Sequence, residues 1–233
     1  LGLHDYLRKS GARGFVVSLS GGADSSSVAA LIWVMARLGV AELGRERFAR
    51  PVRLDCADPN RIEGFMAQLL TCVYQPTRNS SDVTRDAAEV VARAIGAQFR
   101  SWNIDELVDG YVERVERAMG GPLKWDTDDV ALQNIQARAR GPGIWLLANV
   151  LDSLLLTTSN RSEAAVGYAT MDGDTCGGLA PIAGIDKAFL LEWLRWMETT
   201  GPQGVGPLPA LSAVTCQQPT AELRPQAAAQ TDE

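Results

Sequence analysis

Residues Ser20-Gly21-Gly22-Ala23-Asp24-Ser25-Ser26-Ser27 gather hydroxyls, bare backbone and one carboxylate at the point where a β-branched apolar run gives way to a helical pattern. A turn of this kind can bind phosphate. Glycines at 21 and 22 let the main chain approach an anion, and the start of the next helix offers unpaired N–H groups with a partial positive charge. Asp24 by itself would repel that anion. It fits once a divalent cation stands between carboxylate and phosphate, and hard oxygen ligands beside phosphate suit Mg²⁺. No lysine follows the glycines, so this is not the G-x-x-x-x-G-K-[ST] nucleotide loop. The same residues also read as a plain strand–helix turn in which Asp24 or a serine caps the helix.

Other chemistry-bearing residues lie further along. Asn160-Arg161-Ser162-Glu163 has the form of a helix capping box. Lys187 falls in the first turn of a helix, a poor place for a cation by the dipole rule. Asn134 and Arg138 are four apart on one helix and share a face, so one ligand can meet both; Arg140 reads equally as part of a charged solvent face. Some chemistry is excluded. His4 is the only histidine, which rules against Ser-His-Asp triads and His-rich metal sites. Cys56, Cys72, Cys176 and Cys216 form no C-x-x-C pair, so neither a zinc site nor a disulfide framework is expected, and the setting reads as reducing and cytoplasmic. A net charge of −6 argues against a nucleic-acid partner. No apolar run reaches about 18 residues and no leader pattern opens the chain, so no membrane segment or signal peptide is expected.

The elements that must position these residues alternate. Strands are predicted at 14–20, 69–74, 98–104 and 153–159. Helices are predicted at 25–38, closed by Gly39, at 83–95 with Val83, Ala87, Val90, Val91 and Ala94 inward, at 105–119, at 128–150 and at about 186–199. Gly141-Pro142-Gly143 should bend or interrupt the long helix. Residues from 201 on, rich in Pro, Gly and Gln, read as loop or poorly ordered tail. The 233 residues, 46% hydrophobic and 21% charged, fit one α/β domain: a doubly wound parallel sheet of about five strands with helices on both faces. In such a sheet ligands bind beyond the carboxyl ends of the strands, where Ser20–Ser27 falls.

S-G-G-x-D-S after a first strand resembles the pyrophosphatase-type (PP-loop) ATP-binding loop, shared by several adenylating ligases. LLLTTSNRSEAAVGYATMDGDTCGGLAPIAGIDK (154–187), DDVALQNIQARAR (128–140) and PTAELRP (219–225), in that company, make the chain resemble the NAD synthetases over nearly its whole length. The resemblance is to the synthetase portion of the glutamine-dependent branch, where a glutaminase domain precedes this region. The chain opens at Leu1 and closes at QTDE, so it is expected to be a piece of a longer protein, without that domain and the C-terminal end.

The resemblance implies ATP-dependent amidation of nicotinic acid adenine dinucleotide (deamido-NAD) to NAD⁺ through an acyl adenylate, with AMP and pyrophosphate released and ammonia as the nitrogen source. It assigns Ser20, Gly21, Gly22, Asp24, Ser25, Ser26, Thr158, Lys187 and Thr220 to ATP, with Thr220 on a mobile loop within the 201–233 tail. Asp24 and Glu163 become ligands of Mg²⁺, while Asp174 and Lys187 become the catalytic pair. Asn134, Arg138, Arg140, Tyr168 and Asp174 are assigned to deamido-NAD, and a homodimer through the 128–150 helix is implied. Gln217 stands where some members carry a basic residue, and Cys176 where serine or glycine is commoner; the cysteine reads as a passive substitution. Two other readings are an adenylating ligase of the GMP-synthetase or tRNA-thiolating kind, and a truncated chain that binds nucleotide without turnover.

Overall fold

The computed structural model describes residues 2–54, 62–218 and 222–225. In chain order the elements are α1 (Gly2–Ser10), β1 (Gly14–Ser18), α2 (Ala23–Leu43), α3 (Arg45–Ala49), α4 (Ile62–Leu69), β2 (Leu70–Tyr74), α5 (Asp82–Ala94), β3 (Gln98–Ser101), α6 (Asp105–Met119), α7 (Trp125–Val150), β4 (Ser153–Leu156), α8 (Arg161–Val166), α9 (Lys187–Thr199) and α10 (Ser212–Thr215). The strands pair in parallel in the order β3-β2-β1-β4. Helices cover both faces, as a parallel sheet requires.

Alternation along β1 divides the core. Phe15 and Val17 join the larger cluster with α2, α5 and α9, while Val16, with Val73 and Leu155, packs against Ile144 and Ala148 of α7. The two sheet faces thus fix α2 and α7 on opposite sides of β1, whose carboxyl end lies between them.

Several expectations are corrected. Among the described residues the sheet has four strands rather than five; beyond β4 only a single bridge, Leu156 to Leu179, continues it. Gly39 does not close α2, which runs on to a cap at Gly44; a Cβ at 39 would lie 2.3 Å from the Phe48 ring, so that glycine serves packing. Helix α2 is long and apolar enough to cross a membrane by length and composition, contrary to the reading of the sequence; 56% of its apolar window is buried inside the fold, which accounts for the pattern. On α5 the inward face is Thr84, Ala87, Ala88, Val91 and Ala92, and Val83, Val90 and Ala94 face out. Small residues let α5 lie close to its neighbours, and the bulkier valines misled the pattern. Gly141-Pro142-Gly143 does not interrupt α7, whose one non-helical residue is Asp128.

The stretch 201–218 is not loose. Val205, Leu208, Leu211 and Val214 are buried, and the Leu208 N–H donates to the Met197 carbonyl at 2.7 Å. Helices α1, α3, α4 and α10 went unread in the sequence, and of α8 only its capping box was read. Thr220, Cys56 and the closing QTDE lie outside the described residues.

Candidate active site

A cleft of about 340 Å³ opens at the carboxyl ends of β1, β2 and β4. Its floor is the β1–α2 turn. Gly21, at φ +83°, packs so tightly on α5 that a Cβ there would lie 2.1 Å from the Thr84 carbonyl oxygen; close packing as well as conformation demands glycine. Within the turn the Ser25 hydroxyl accepts from the Ser20 N–H at 3.2 Å and donates to the Gly22 carbonyl at 3.3 Å. No side chain caps α2, whose N-cap is Gly22. Neither Asp24 nor a serine takes that role, so the plain capped-turn reading is corrected. By contrast α5, α8 and α9 are capped by Ser81, Asn160 and Asp186. The start of α2 therefore keeps amides unused by any cap, as an anion site requires.

Asp24 turns to the other wall instead. One carboxylate oxygen accepts from Asn160 Nδ2 at 3.0 Å, and the other pairs with Lys187 Nζ. Lys187 is the first residue of α9, and its main-chain N–H donates to Ser162 Oγ at 3.1 Å. Glu163 completes a capping box with Asn160, so the cap reading holds for it. Burial, reinforced by the nearby charge of Asp24, pushes the Glu163 carboxyl up to about 7. Two carboxylates held together against their mutual repulsion, one half-buried, suit a hard cation. Among the described residues no group of three or more His, Cys, Asp or Glu is set for a metal. A cation here would thus keep coordination positions for phosphate and water, which is how Mg²⁺ usually sits beside nucleotides.

The glycine-rich segment after α8 supplies the facing lip. Thr157 Oγ1 donates to the Asp174 carbonyl at 2.9 Å, and the Asp174 carboxylate accepts from the Thr170 N–H at 2.8 Å. Asp174, Thr158 and Tyr168 line the cleft. Arg140 lines it too, with Nε donating to the Gln75 carbonyl at 3.1 Å and burial lowering its guanidinium pKa.

The structure thus unites Ser20, Gly21, Gly22, Asp24, Ser25, Thr158, Glu163, Tyr168, Asp174, Lys187 and Arg140 around one cleft. It does not bring every expected residue there. Ser26 is fully buried with an unpartnered hydroxyl and does not line the cleft. Asn134 and Arg138 do share a face, but they grip the loop instead: Asn134 Oδ1 accepts from Thr170 Oγ1 at 2.8 Å and Arg138 Nε donates to the Met171 carbonyl at 3.0 Å. Burial raises the Cys176 thiol, which fits its reading as passive.

Sequence reasoning missed three participants. Asn160 was read only as a cap. Gln75 lines the cleft with a buried, unpartnered Oε1. Glu222 accepts from the Ser81 N–H at 3.0 Å and Thr84 Oγ1 at 2.8 Å, which pins residues 222–224 across the rim. The Asn in S-N-R-S-E announced only the cap; what all three do in the cleft depends on contacts far apart in sequence.

A model of the NAD synthase family matches residues 1–233. A glutamine-dependent NAD(+) synthetase from Xanthomonas campestris is 34% identical over 96% of this chain, a match that spans 34% of that relative. A crystal structure of a glutamine-dependent NAD(+) synthetase from Cytophaga hutchinsonii superposes with a TM-score of 0.83 at 46% identity, covering 91% of this chain and 40% of that one. The glutamine-dependent NAD+ synthetase from Acinetobacter baumannii, solved with ADP, gives a TM-score of 0.65 at 26% identity over 90% of this chain and 33% of that one. The chain therefore spans about a third of the curated relatives it matches, and over that span it belongs to the NAD synthase family.

Proposed function

We propose that this chain is the amidating part of a glutamine-dependent NAD⁺ synthetase, which converts deamido-NAD to NAD⁺ at the expense of ATP. The observation that carries the reading is the uncapped start of α2 opposite Asp24, Glu163 and Lys187 in one cleft, in a chain of this family. The ADP bound to the Acinetobacter relative supports a nucleotide in the same fold.

A carboxylate resists ammonia because oxide is a poor leaving group. In this reading the nicotinate carboxylate attacks the α-phosphorus of ATP, the bond to the β-phosphate oxygen breaks, and pyrophosphate leaves. Ammonia then adds to the acyl carbon and AMP departs, leaving the amide. The main-chain amides at 21–25 hold the pyrophosphate. Lys187 offsets negative charge growing on the phosphorus-bound oxygens, and Asp174 takes a proton from the incoming ammonium. Asp24 and Glu163 would hold Mg²⁺, which supplies charge neutralisation on the phosphates. Most of the catalysis is positioning and electrostatics.

Ammonia reaches this cleft from a glutaminase domain or subunit in the whole protein, and two copies pair through α7, whose exposed Val130, Leu146 and Val150 support that face. A reducing, cytoplasmic setting is part of this reading, from the scattered cysteine spacing of the sequence alone.

The test supplies ATP, Mg²⁺, deamido-NAD and ammonium to the purified chain. AMP, pyrophosphate and NAD⁺ should appear in equal amounts with ammonium and not with glutamine. Turnover from glutamine alone, or hydrolysis of ATP to ADP, would refute the assignment.

A further inference from the structure

Asn160 is only 1% exposed and uses both ends of its amide. Its Oδ1 accepts from the Glu163 N–H at 3.0 Å, and its own N–H donates to Glu163 Oε2 at 3.3 Å. Its Nδ2 crosses to the other side of the cleft floor and donates to Asp24 Oδ1 at 3.0 Å, a bond between residues 136 apart in sequence. A capping box needs only the contacts to Glu163. The bond to Asp24 is additional, and serine or threonine, which cap as well, are too short to make it. Asparagine is distinctive because it offers an acceptor to one acidic residue's backbone and a donor to another's carboxylate.

The consequence is geometric. Asp24 rides on the first turn of α2 and Glu163 on the first turn of α8, two elements joined to different strands. Bound to Nδ2, Asp24 Oδ1 is spoken for and its rotamer fixed, which leaves Oδ2 for Lys187 or a cation. From this arrangement we infer that Asn160 is a positioning residue that sets the spacing and orientation of the Asp24 and Glu163 carboxylates toward a divalent cation. The inference rests on the proposed nucleotide–metal reading of the cleft. Partners of this kind, outside the direct ligands, typically change metal affinity or activity by about 10–100-fold when removed.

The experiment titrates Mn²⁺, read by its electron paramagnetic resonance signal, into protein saturated with a non-hydrolysable ATP analogue. Wild type is compared with Asn160→Ser and Asn160→Asp, and melting temperature is recorded for each. Both substitutions keep an N-cap acceptor, so the fold should melt as wild type does. Asn160→Ser should raise the Mn²⁺ dissociation constant at least about tenfold. In steady state it should lower kcat and leave the KM for deamido-NAD unchanged. Asn160→Asp keeps the shape but turns the donor into an acceptor facing Asp24, so it should weaken Mn²⁺ as much or more. Should Asn160→Ser prove unstable, Asn160→Asp carries the same test alone. Wild-type affinity in a folded variant overturns the role of Asn160 and leaves the function standing. If wild type itself binds no Mn²⁺ with the nucleotide, both the function and the inference fall.

Discussion

On the β1–β4 side of the cleft, Asp24, Asn160, Glu163 and Lys187 are bonded to one another across α2, α8 and α9. On the α7 side, Asn134 and Arg138 hold only a hydroxyl and a carbonyl of the 170–171 loop, and Tyr168, Met171 and Val166 stand 50%, 68% and 78% exposed. The first wall is preorganised: its charges face one another before any ligand arrives, so little reordering remains on binding. The second wall has its polar groups spent on its own loop and its apolar groups in solvent. Helix α8, which joins the walls, buries no residue at all. The wall proposed to hold phosphate is thus bonded together among the described residues, while the wall proposed to meet the dinucleotide is tied only to its own loop.

If that contrast is right, substitutions on the first wall should strike chemistry and those on the second should strike binding. The largest effect is expected from Asp24→Ala. It removes a carboxylate that Asn160 and Lys187 both address, so AMP formation should fall by at least about 10³-fold while the fold survives. Isotope exchange between pyrophosphate and ATP measures the adenylation step directly; near-normal exchange in the variant would show that the two walls do not divide the work this way.

Much of the first wall could be read in the sequence, and the reason is local. A parallel strand, two glycines and a helix start are contiguous, so Ser20–Ser25 can be read as a candidate anion site within six residues. Asn160 and Glu163 likewise sit within one capping box, and their caps were legible. What the sequence hid was the bond from Asn160 to Asp24, since nothing in either segment points to the other until β1 and β4 pair. The core faces were only partly legible. On α5 the periodicity favoured Val83 and Val90, whereas close packing chose alanines and Thr84. The edge of the sheet was overread because SLLLTTS is continuous, yet Thr157 and the residues after it leave the ladder to hold the glycine-rich loop. Ser26 was misplaced by the same locality: it belongs to the serine run, but helical rotation turns it into the core.

Lys187→Met comes next in size. Loss of the cation should lower kcat by about 10²–10³-fold with little change in nucleotide affinity, the pattern of a group that acts in the transition state. Lys187 also holds the Glu163 carboxyl down against burial and Asp24, so the variant should shift that titration further upward. A variant with normal kcat and a raised KM for ATP would instead move Lys187 to simple binding.

The Glu163 carboxyl, at about 7, lies above the usual ~4.3, so the fold favours its protonated form. Its contribution to stability is full below the unfolded value and is lost as pH rises through about 7. Cation binding requires the ionised form, so metal affinity should improve by about tenfold per pH unit up to that point and then level off. Melting curves of the nucleotide-free protein between pH 5 and 8 should show wild type losing stability relative to Glu163→Gln. Parallel curves would remove the strained carboxylate pair from the first wall.

The smallest effect is expected on the second wall, and it is the most specific. Arg138 is exposed and makes one bond to the Met171 carbonyl, so Arg138→Ala should cost the fold little. If the loop it restrains forms one side of the dinucleotide site, the KM for deamido-NAD should rise by about threefold to tenfold, with ATP binding and metal dependence untouched. That separation follows from geometry: Arg138 and Asp24 share no contact, so their effects should add in the double variant. Non-additive loss would mean that the glycine-rich loop, tied to β4 through Thr157 and Asp174, carries strain from one wall to the other, and the site would then have to be treated as a single preorganised unit.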